Sequence, residues 1–270
     1  MKKHLFATLL GVSAALSTLA SSAVACGLET DCQVGDRTYR LYLPEADGPT
    51  GVLFFAHGYR GSAAGAMRNE SLMRLADDFG MAFVALDAGA DDWNLAHRPQ
   101  QPDQTETQEY GYVADVLADL ATRMEVDSDR LVLTGFSAGG MFVWNIACGM
   151  ADAFQGFVPY SGTFWLAPPE TCPTGPSNVV HIHGTEDSTV PLSGRPIGQT
   201  RQGDVPDTLA MYRRVGGFEP VQTVPAAGAM SCEQSANTAG QVLDFCTFSG
   251  GHSFSIDRVR HGVERVLNAG

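Results

Sequence analysis

A short segment near the middle of the chain combines a strand, a tight turn and a helix around one serine. The apolar run that begins at Leu131 predicts a buried strand, and Met141 to Ala147 predicts a buried helix. Between them, Gly135-Phe-Ser-Ala-Gly139 fits the G-x-S-x-G turn, which holds its serine in strained geometry above a sheet. A side chain at either glycine would collide with a neighbouring element. We therefore predict a nucleophilic Ser137 at a helix N-terminus, rather than an ordinary tight turn.

The first 25 residues have the features of a secretory signal peptide. Lys2 and Lys3 give a basic start, an apolar stretch follows from 5 to about 19, and Ala23-Val-Ala25 is a small-residue cleavage site. Cleavage after Ala25 would leave Cys26 first, as in a bacterial lipoprotein, although Ala23 is a poor match for that junction. Residues 26–270 are then expected to form one catalytic domain, either secreted or periplasmic.

The cysteines support export to an oxidising compartment. The mature chain would carry an even set of six: Cys26, Cys32, Cys148, Cys172, Cys232 and Cys246. Such a set in an exported protein suggests disulfides, and proximity along the chain favours Cys26–Cys32, Cys148–Cys172 and Cys232–Cys246. A lipidated Cys26 would leave an odd thiol. Because the sequence contains no C-x-x-C pair, a zinc knuckle is not expected.

The charge balance excludes some classes of partner. The formal net charge is −13, and loss of the signal peptide with its two lysines brings it to −15. Such a surface repels nucleic acid and anionic membranes. No apolar run after residue 25 has transmembrane length.

Strands and helices alternate along the mature chain, which predicts an α/β domain with a mostly parallel sheet and right-handed crossovers. The predicted strands lie at 37–43 (an edge strand), 52–56, 81–86, the run from 131, 157–160, 179–183 and 242–248. The predicted helices lie at 64–79, 112–124, 141–147, 207–215 and 255–267, and 87–107 is a long surface loop.

Partners for the serine are expected where strands end, because ligands in such sheets bind at the carboxyl ends of the strands. A serine needs a base that a carboxylate orients. Asp187 follows a predicted strand and is favoured over the adjacent Glu186. His252 follows the last predicted strand after two glycines, and it is favoured over His261, which lies within the last predicted helix. The order serine, aspartate, histidine is the one usual for this kind of turn.

Two backbone N–H groups are needed to stabilise a developing oxyanion. Ala138 supplies one because it follows the serine at the start of the helix. We predict Tyr59 as the other, on the loop after the strand at 52–56, with His57 bracing that loop.

Aromatic side chains and a histidine pair are further candidates. Trp165, Tyr160 and Trp93 are candidates for the substrate pocket, although simple packing would explain each equally well. His181 and His183 share one strand face, but no third ligand accompanies them, so no metal is expected.

Four motifs occur in order along the mature chain: His57-Gly after a buried strand, Gly-Phe-Ser137-Ala-Gly-Gly, His-Gly-Thr-Glu-Asp187-Ser-Thr-Val-Pro and Gly-Gly-His252. Together they resemble the secreted polyhydroxybutyrate depolymerase family of α/β-hydrolases, whose near relatives are feruloyl and acetylxylan esterases. The resemblance spans nearly all of the mature chain. It implies the α/β-hydrolase fold, with helices on both faces of the sheet, and ester hydrolysis through an acyl-serine without a metal or organic cofactor. The chain departs from many polymer-degrading members because it ends soon after its last helix, without a linker and binding domain. Its Gly-Tyr59-Arg-Gly loop also need not match the usual oxyanion loop.

The sequence therefore predicts a monomeric serine esterase whose partner is an ester substrate. Short hydroxyalkanoate esters or oligomers are the first expectation, and feruloyl or acetylxylan esters are the second. A secreted peptidase of the same fold and a non-catalytic binding protein remain as alternatives.

Overall fold

The computed structural model describes residues 26–45 and 48–269, so the predicted signal peptide lies outside the described residues. The strands are β1 (Cys32–Val34), β2 (Arg37–Tyr42), β3 (Thr50–Ala56), β4 (Met81–Leu86), β5 (Val126–Phe136), β6 (Gly156–Tyr160), β7 (Asn178–Gly184), β8 (Arg195–Ile197), β9 (Thr200–Gln202), β10 (Glu219–Ala226), β11 (Met230–Ala236) and β12 (Val242–Phe248). The helices are α1 (Ala63–Met67), α2 (Glu70–Asp78), α3 (Glu109–Arg123), α4 (Ala138–Gly149), α5 (Val205–Gly216) and α6 (Ile256–Leu267).

Ten of the strands form one mixed sheet in the order β1-β2-β4-β3-β5-β6-β7-β12-β11-β10. The six central strands, β4 to β12 in that order, pair in parallel. Antiparallel pairs extend the sheet at both ends. β8 and β9 form a separate two-stranded hairpin. The carboxyl ends of the parallel strands therefore meet at one edge of the sheet, where the loops with polar residues follow.

Helices cover both faces of the sheet, and β3 shows how the sequence directs this. Val52, Phe54 and Ala56 belong to one hydrophobic cluster, together with residues of α3, α4 and α5. Leu53 and Phe55 belong to the other, together with residues of α1, α2 and α6. Since side chains alternate along a strand, a continuous apolar run supplies two cores at once.

Two expectations about local structure were wrong, and the hairpin of β10 and β11 was missed. The helix predicted over 64–79 is broken after Met67, and Asn69 caps the second piece by accepting a hydrogen bond from the Ser71 N–H. β2 is not an edge strand, because β1 pairs outside it. The hairpin of β10 and β11 was not predicted, because an exposed polar strand that contains Pro220 and Pro225 lacks an apolar pattern.

The disulfides are the three pairs that proximity along the chain favours: Cys26–Cys32, Cys148–Cys172 and Cys232–Cys246. Cys148 lies in the last turn of α4. Cys232 and Cys246 stand opposite each other on β11 and β12. Within the described ranges, no helix is long and apolar enough to cross a membrane.

Stability is expected to depend strongly on Gly139 and hardly at all on Gly111. A Cβ at Gly139 would overlap the carbonyl oxygen of Ala56, and two backbone segments cannot relieve this by changing a rotamer. Gly139→Ala should therefore cost about 3 kcal/mol or more of the free energy of unfolding. Gly111→Ala is the matched control, because a Cβ there has no neighbour within 4 Å.

Urea unfolding of both variants checks this expectation. Equal stability of the two variants would contradict the close approach of α4 to β3.

Candidate active site

The candidate nucleophile Ser137 lies at the junction of β5 and α4, in a backbone conformation that non-glycine residues rarely adopt. Its φ is 61° and its ψ is −119°, which costs of order 1–3 kcal/mol. Its N–H donates to the Tyr160 carbonyl at 2.9 Å, and its carbonyl accepts from the Met141 N–H at 3.0 Å. A Cβ at Gly135 would lie 2.5 Å from the Gly139 carbonyl oxygen, so both glycines of the motif are sterically required.

Two residues that border the same cavity as Ser137 have N–H groups that no hydrogen bond of the described residues uses. Ala138 is the first residue of α4, where N–H groups lack helical partners. In the loop after β3, Arg60 N–H donates to the Asp91 carbonyl and Gly61 N–H to the Gly58 carbonyl. Among the described residues, no hydrogen bond uses the N–H of Gly58 or of Tyr59, and of these two residues Tyr59 borders the cavity that Ser137 lines. The Tyr59 side chain is half exposed and borders the same cavity as Ser137.

The His57 ring holds the loop after β3 through two hydrogen bonds. Its Nδ1 lies 2.8 Å from the Gly58 carbonyl oxygen, and its Nε2 accepts from the Ala88 N–H at 3.1 Å. Nδ1 must therefore carry the proton, and the ring is neutral. Burial lowers the pKa of His57, which favours the same neutral form.

Asp187, and not Glu186, points at the candidate base. Its Oδ2 accepts from Nδ1 of His252 at 2.6 Å. Its Oδ1 accepts from the N–H groups of Thr189 and Val190 at 2.9 and 2.8 Å. Burial pushes the pKa of Asp187 up, but the His252 hydrogen bond and the Val190 N–H outweigh it and hold the pKa below its usual value. Glu186 is exposed and accepts from the Ser249 hydroxyl instead.

His252 lies on the loop between β12 and α6, next to the serine turn. Its ring packs on Phe136, the residue before Ser137, with 4.6 Å between ring centroids. Because Nδ1 donates to Asp187, Nε2 is left to take a proton. No hydrogen bond of the described residues joins the Ser137 hydroxyl to this nitrogen, and such bonds are often long without substrate. His261 lies apart, on α6, with its Nε2 3.6 Å from Cys232.

Two buried histidines on β7 secure the loop that carries Asp187. The Trp144 Nε1–H donates to His181 Nδ1 at 3.2 Å, and His181 Nε2 lies 3.0 Å from His183 Nδ1. His183 Nε2 lies 2.8 Å from the Val190 carbonyl oxygen. Tryptophan can only donate and a carbonyl can only accept. Each N–H in this series of hydrogen bonds therefore donates toward Val190.

The histidine chain does not form a metal site, because all four ring nitrogens have partners. Cys232, Cys246 and His261 form the one group of three possible metal ligands found among residues 26–45 and 48–269. In that group, both cysteines are joined in a disulfide.

A cavity of about 350 Å³ opens beside the serine turn. Its lining includes Ser137, Ala138, Met141, Trp165, Val190 and Ile197. Trp165 also borders a neighbouring cavity of about 450 Å³, so it separates the two. Of the three predicted aromatic pocket residues, Trp165 therefore reaches the site.

Trp93 and Tyr160 are buried in the core and do not line this cavity. Trp93 is fully buried, packs on Phe142 at 4.2 Å, and donates from Nε1 to the His57 carbonyl. The Tyr160 hydroxyl donates to the Ser253 carbonyl and accepts from Arg258. Both side chains support the loops around the site and are not available to contact substrate.

Two buried polar residues of the cavity wall were not predicted from the sequence. Asp92 is 6% exposed and Gln202 is 5% exposed, and both line the cavity with Ser137. Burial raises the pKa of Asp92 to about 6, although the Trp93 N–H and Arg98 oppose this. Neither residue belongs to a motif, because separate loop and hairpin segments carry them to the cavity.

Comparisons with known proteins find esterases among the proteins that this chain resembles. Residues 91–200 match the model of the phospholipase/carboxylesterase family. A protein named as the esterase NocK, from Nocardia uniformis subsp. tsuyamanensis, is 28% identical over 81% of this chain and 70% of its own length. The bifunctional acetylxylan esterase/xylanase XynS20E of Neocallimastix patriciarum is 24% identical over 58% of this chain and 22% of its own length. The solved acetyl xylan esterase from Aspergillus awamori superposes with a TM-score of 0.66 at 13% identity, over 87% of this chain and 98% of that one.

The chain is a carboxylic ester hydrolase with the α/β-hydrolase fold. The expectation of that fold, with its mostly parallel sheet, is confirmed.

Stability should fall at acid pH because His181 stays neutral in the fold. Burial, with the neighbouring His183, lowers the pKa of His181 well below its usual value. Below about pH 6.5 the unfolded chain therefore binds a proton that the folded chain does not, so stability rises with pH. Through this residue, each pH unit below 6.5 should lower the free energy of unfolding by about 1.4 kcal/mol.

Urea unfolding of the wild type and His181→Phe between pH 5 and pH 8 measures this effect. The variant should show the shallower acid slope, whatever its absolute stability. Parallel curves would contradict a neutral His181.

Proposed function

We propose that Ser137, His252 and Asp187 form the catalytic triad of an exported serine esterase. The observation that carries this proposal is the 2.6 Å hydrogen bond from His252 to a buried carboxylate, beside a serine in a strained strand-to-helix turn. The order of the three residues in the sequence and the packing of the His252 ring on Phe136 support it further. So does the Tyr59 N–H, which no hydrogen bond of the described residues uses.

In this mechanism Ser137 attacks the ester carbonyl carbon while His252 Nε2 accepts the hydroxyl proton. The N–H groups of Ala138 and Tyr59 donate to the oxyanion. His252 then gives its proton to the leaving alcohol, which leaves an acyl-serine. Water, deprotonated by the same nitrogen, attacks this ester, and His252 returns the proton to Ser137 Oγ as the acid leaves. Asp187 holds the tautomer of His252 that has Nε2 free, and it stabilises the imidazolium.

Export is proposed from the basic and apolar N-terminal segment. The three disulfides support an oxidising compartment, either outside the cell or in the periplasm. The acidic charge agrees with a small or polymeric ester, and not a nucleic acid, as the partner.

Short hydroxyalkanoate esters or oligomers are the proposed substrates, on the motifs that resemble polyhydroxybutyrate depolymerases. Acetyl or feruloyl esters of plant polysaccharides are a second candidate. That candidate is favoured by the likeness to two proteins named as acetylxylan esterases.

Replacing Ser137 by alanine should lower kcat by about 10⁵–10⁶-fold, because the nucleophile and the base act as one unit. Ser128→Ala, at the exposed opposite end of β5, is the matched control and should retain full activity. Hydrolysis of 4-nitrophenyl butyrate measures both variants, and circular dichroism checks their folding. A folded Ser137→Ala protein with a tenth of the activity would remove Ser137 as the nucleophile.

Three substrates separate the two proposals: a 3-hydroxybutyrate trimer, acetylated xylan and methyl ferulate. Release of 3-hydroxybutyrate alone supports the hydroxyalkanoate proposal, whereas release of acetate or ferulate alone supports the polysaccharide-ester proposal. If a simple nitrophenyl ester also stays intact, the esterase assignment fails.

A further inference from the structure

Tyr160, the last residue of β6, is hydrogen-bonded to the main chain on both sides of the proposed reaction. Its carbonyl oxygen accepts from the Ser137 N–H at 2.9 Å. Its hydroxyl donates at 2.7 Å to the carbonyl oxygen of Ser253, the residue after His252. Tyr160 is fully buried, so its hydroxyl is shielded from competing water. One residue therefore connects the segment that carries the nucleophile to the segment that carries the base.

The hydroxyl of Tyr160 restrains the chain directly after His252. The Ser253 N–H donates to the Gly251 carbonyl at 2.9 Å, so His252 is the central residue of a tight three-residue turn. Among the described residues, the Tyr160 hydroxyl is the only partner of the Ser253 carbonyl. The orientation of this turn, and with it the direction of the His252 side chain, therefore depends on that hydroxyl.

Arg258, in the first turn of α6, fixes the direction of this hydrogen bond. Its Nη1 donates to the Tyr160 hydroxyl oxygen at 3.1 Å. Because a guanidinium group can only donate, the hydroxyl accepts from Arg258 and directs its own proton to the Ser253 carbonyl. A hydroxyl that accepts from a cation is also a stronger donor, since successive hydrogen bonds polarise one another.

Two further contacts hold the Arg258 guanidinium in place. Its Nε donates at 3.0 Å to the carbonyl of Gly228, in the turn between β10 and β11. Its central carbon lies 3.5 Å from the centroid of the Phe248 ring, at the end of β12, which is a cation–π contact. The guanidinium therefore has little freedom to leave the Tyr160 hydroxyl.

Aromatic packing around Tyr160 does not depend on its hydroxyl. The Phe254 ring stacks on the Tyr160 ring with 5.7 Å between centroids. The Phe136 ring meets both of them edge-on, at 5.4 Å from Tyr160 and 5.6 Å from Phe254. Replacing Tyr160 by phenylalanine therefore removes the hydrogen bonds and leaves the ring packing.

We infer that Tyr160 and Arg258 are positioning residues, which hold the His252 ring where Nε2 can take the proton of Ser137. The inference rests on the proposed triad and adds a second support for its base. Asp187 orients the ring through Nδ1, whereas Tyr160 restrains the main chain that carries the ring. Neither Tyr160 nor Arg258 lines the Ser137 cavity, so both should act on the chemical step and not on substrate binding.

Tyr160→Phe should lower kcat for 4-nitrophenyl butyrate by about 10–100-fold, because a base displaced by about 1 Å transfers protons poorly. KM should stay within about twofold of the wild-type value, because no group that binds the substrate is removed. Tyr39→Phe is the matched control. Tyr39 is also fully buried, and its hydroxyl donates to Asp119 at 2.7 Å, so this variant loses a buried hydrogen bond but should keep the wild-type kcat.

Arg258→Met should lower kcat by about three- to tenfold, because the Tyr160 hydroxyl remains but is less polarised and less firmly held. Arg260→Met is its matched control, since Arg260 lies on the same helix and pairs with the exposed Asp78. The double variant Tyr160→Phe/Arg258→Met should be no slower than Tyr160→Phe alone, because Arg258 acts through the hydroxyl.

Proton NMR separates loss of position from loss of stability. The proton between His252 Nδ1 and Asp187 lies in a short, charge-assisted hydrogen bond, and it should give a far-downfield signal in the wild type and in Tyr39→Phe. In Tyr160→Phe this signal should broaden or move upfield, because the His252 ring is no longer held in one orientation.

Ser137→Ala distinguishes failure of this inference from failure of the triad. If Ser137→Ala is inactive and Tyr160→Phe keeps the wild-type kcat, the positioning role is overturned and the triad stands. If Ser137→Ala stays active, the triad is wrong and the inference is wrong with it. If Tyr160→Phe does not fold, Arg258→Met decides, since a lower kcat with an altered NMR signal supports the inference and a wild-type kcat overturns it.

Discussion

The site depends on how closely the start of α4 approaches the end of β3. Gly139 lies against the carbonyl oxygen of Ala56, and only hydrogen can occupy the space between them. This contact leaves the chain no room for an ordinary turn, so Ser137 takes its strained conformation. Burial offsets the strain, because every residue of α4 from Ala138 to Cys148 is buried. The apolar helix thus stabilises the polar turn.

The loops that follow β3, β7 and β12 meet at the serine turn, because these strands belong to the parallel part of the sheet and end at the same edge. The last two are held to each other by backbone bonds: Thr185 N–H donates to the Phe248 carbonyl, and Glu186 N–H donates to the Gly250 carbonyl. A side chain on Gly184 would collide with the glycines before His252. Main-chain contacts therefore set the distance between Asp187 and His252. The two side chains need little conformational adjustment to form their hydrogen bond.

Local pattern was enough to predict the central strands and the loops with polar residues, because continuous apolar runs and the serine turn are local signals. It failed for the cavity wall. Trp93 lies in a polar loop, yet the loop folds inward and buries the ring under His57. Asp92 and Gln202 are brought together by tertiary contacts between segments about a hundred residues apart, which no local pattern encodes. The break at Asn69 was also missed, because an N-cap residue can interrupt a helix while the amphipathic pattern of the sequence continues across it.

The hydrogen-bonded chain from Trp144 through His181 and His183 to Val190 has a direction, and this restricts how the protein can evolve. If His181 alone became an aliphatic residue, a buried donor and a buried acceptor would lose their partners together. Replacing both histidines would still leave the Trp144 N–H and the Val190 carbonyl unpaired, so the hydrogen-bonded chain is lost at lower cost only when Trp144 is replaced as well. Among homologues, positions 181 and 183 should therefore change together, and the residue at position 144 should keep its indole only where the first histidine is kept.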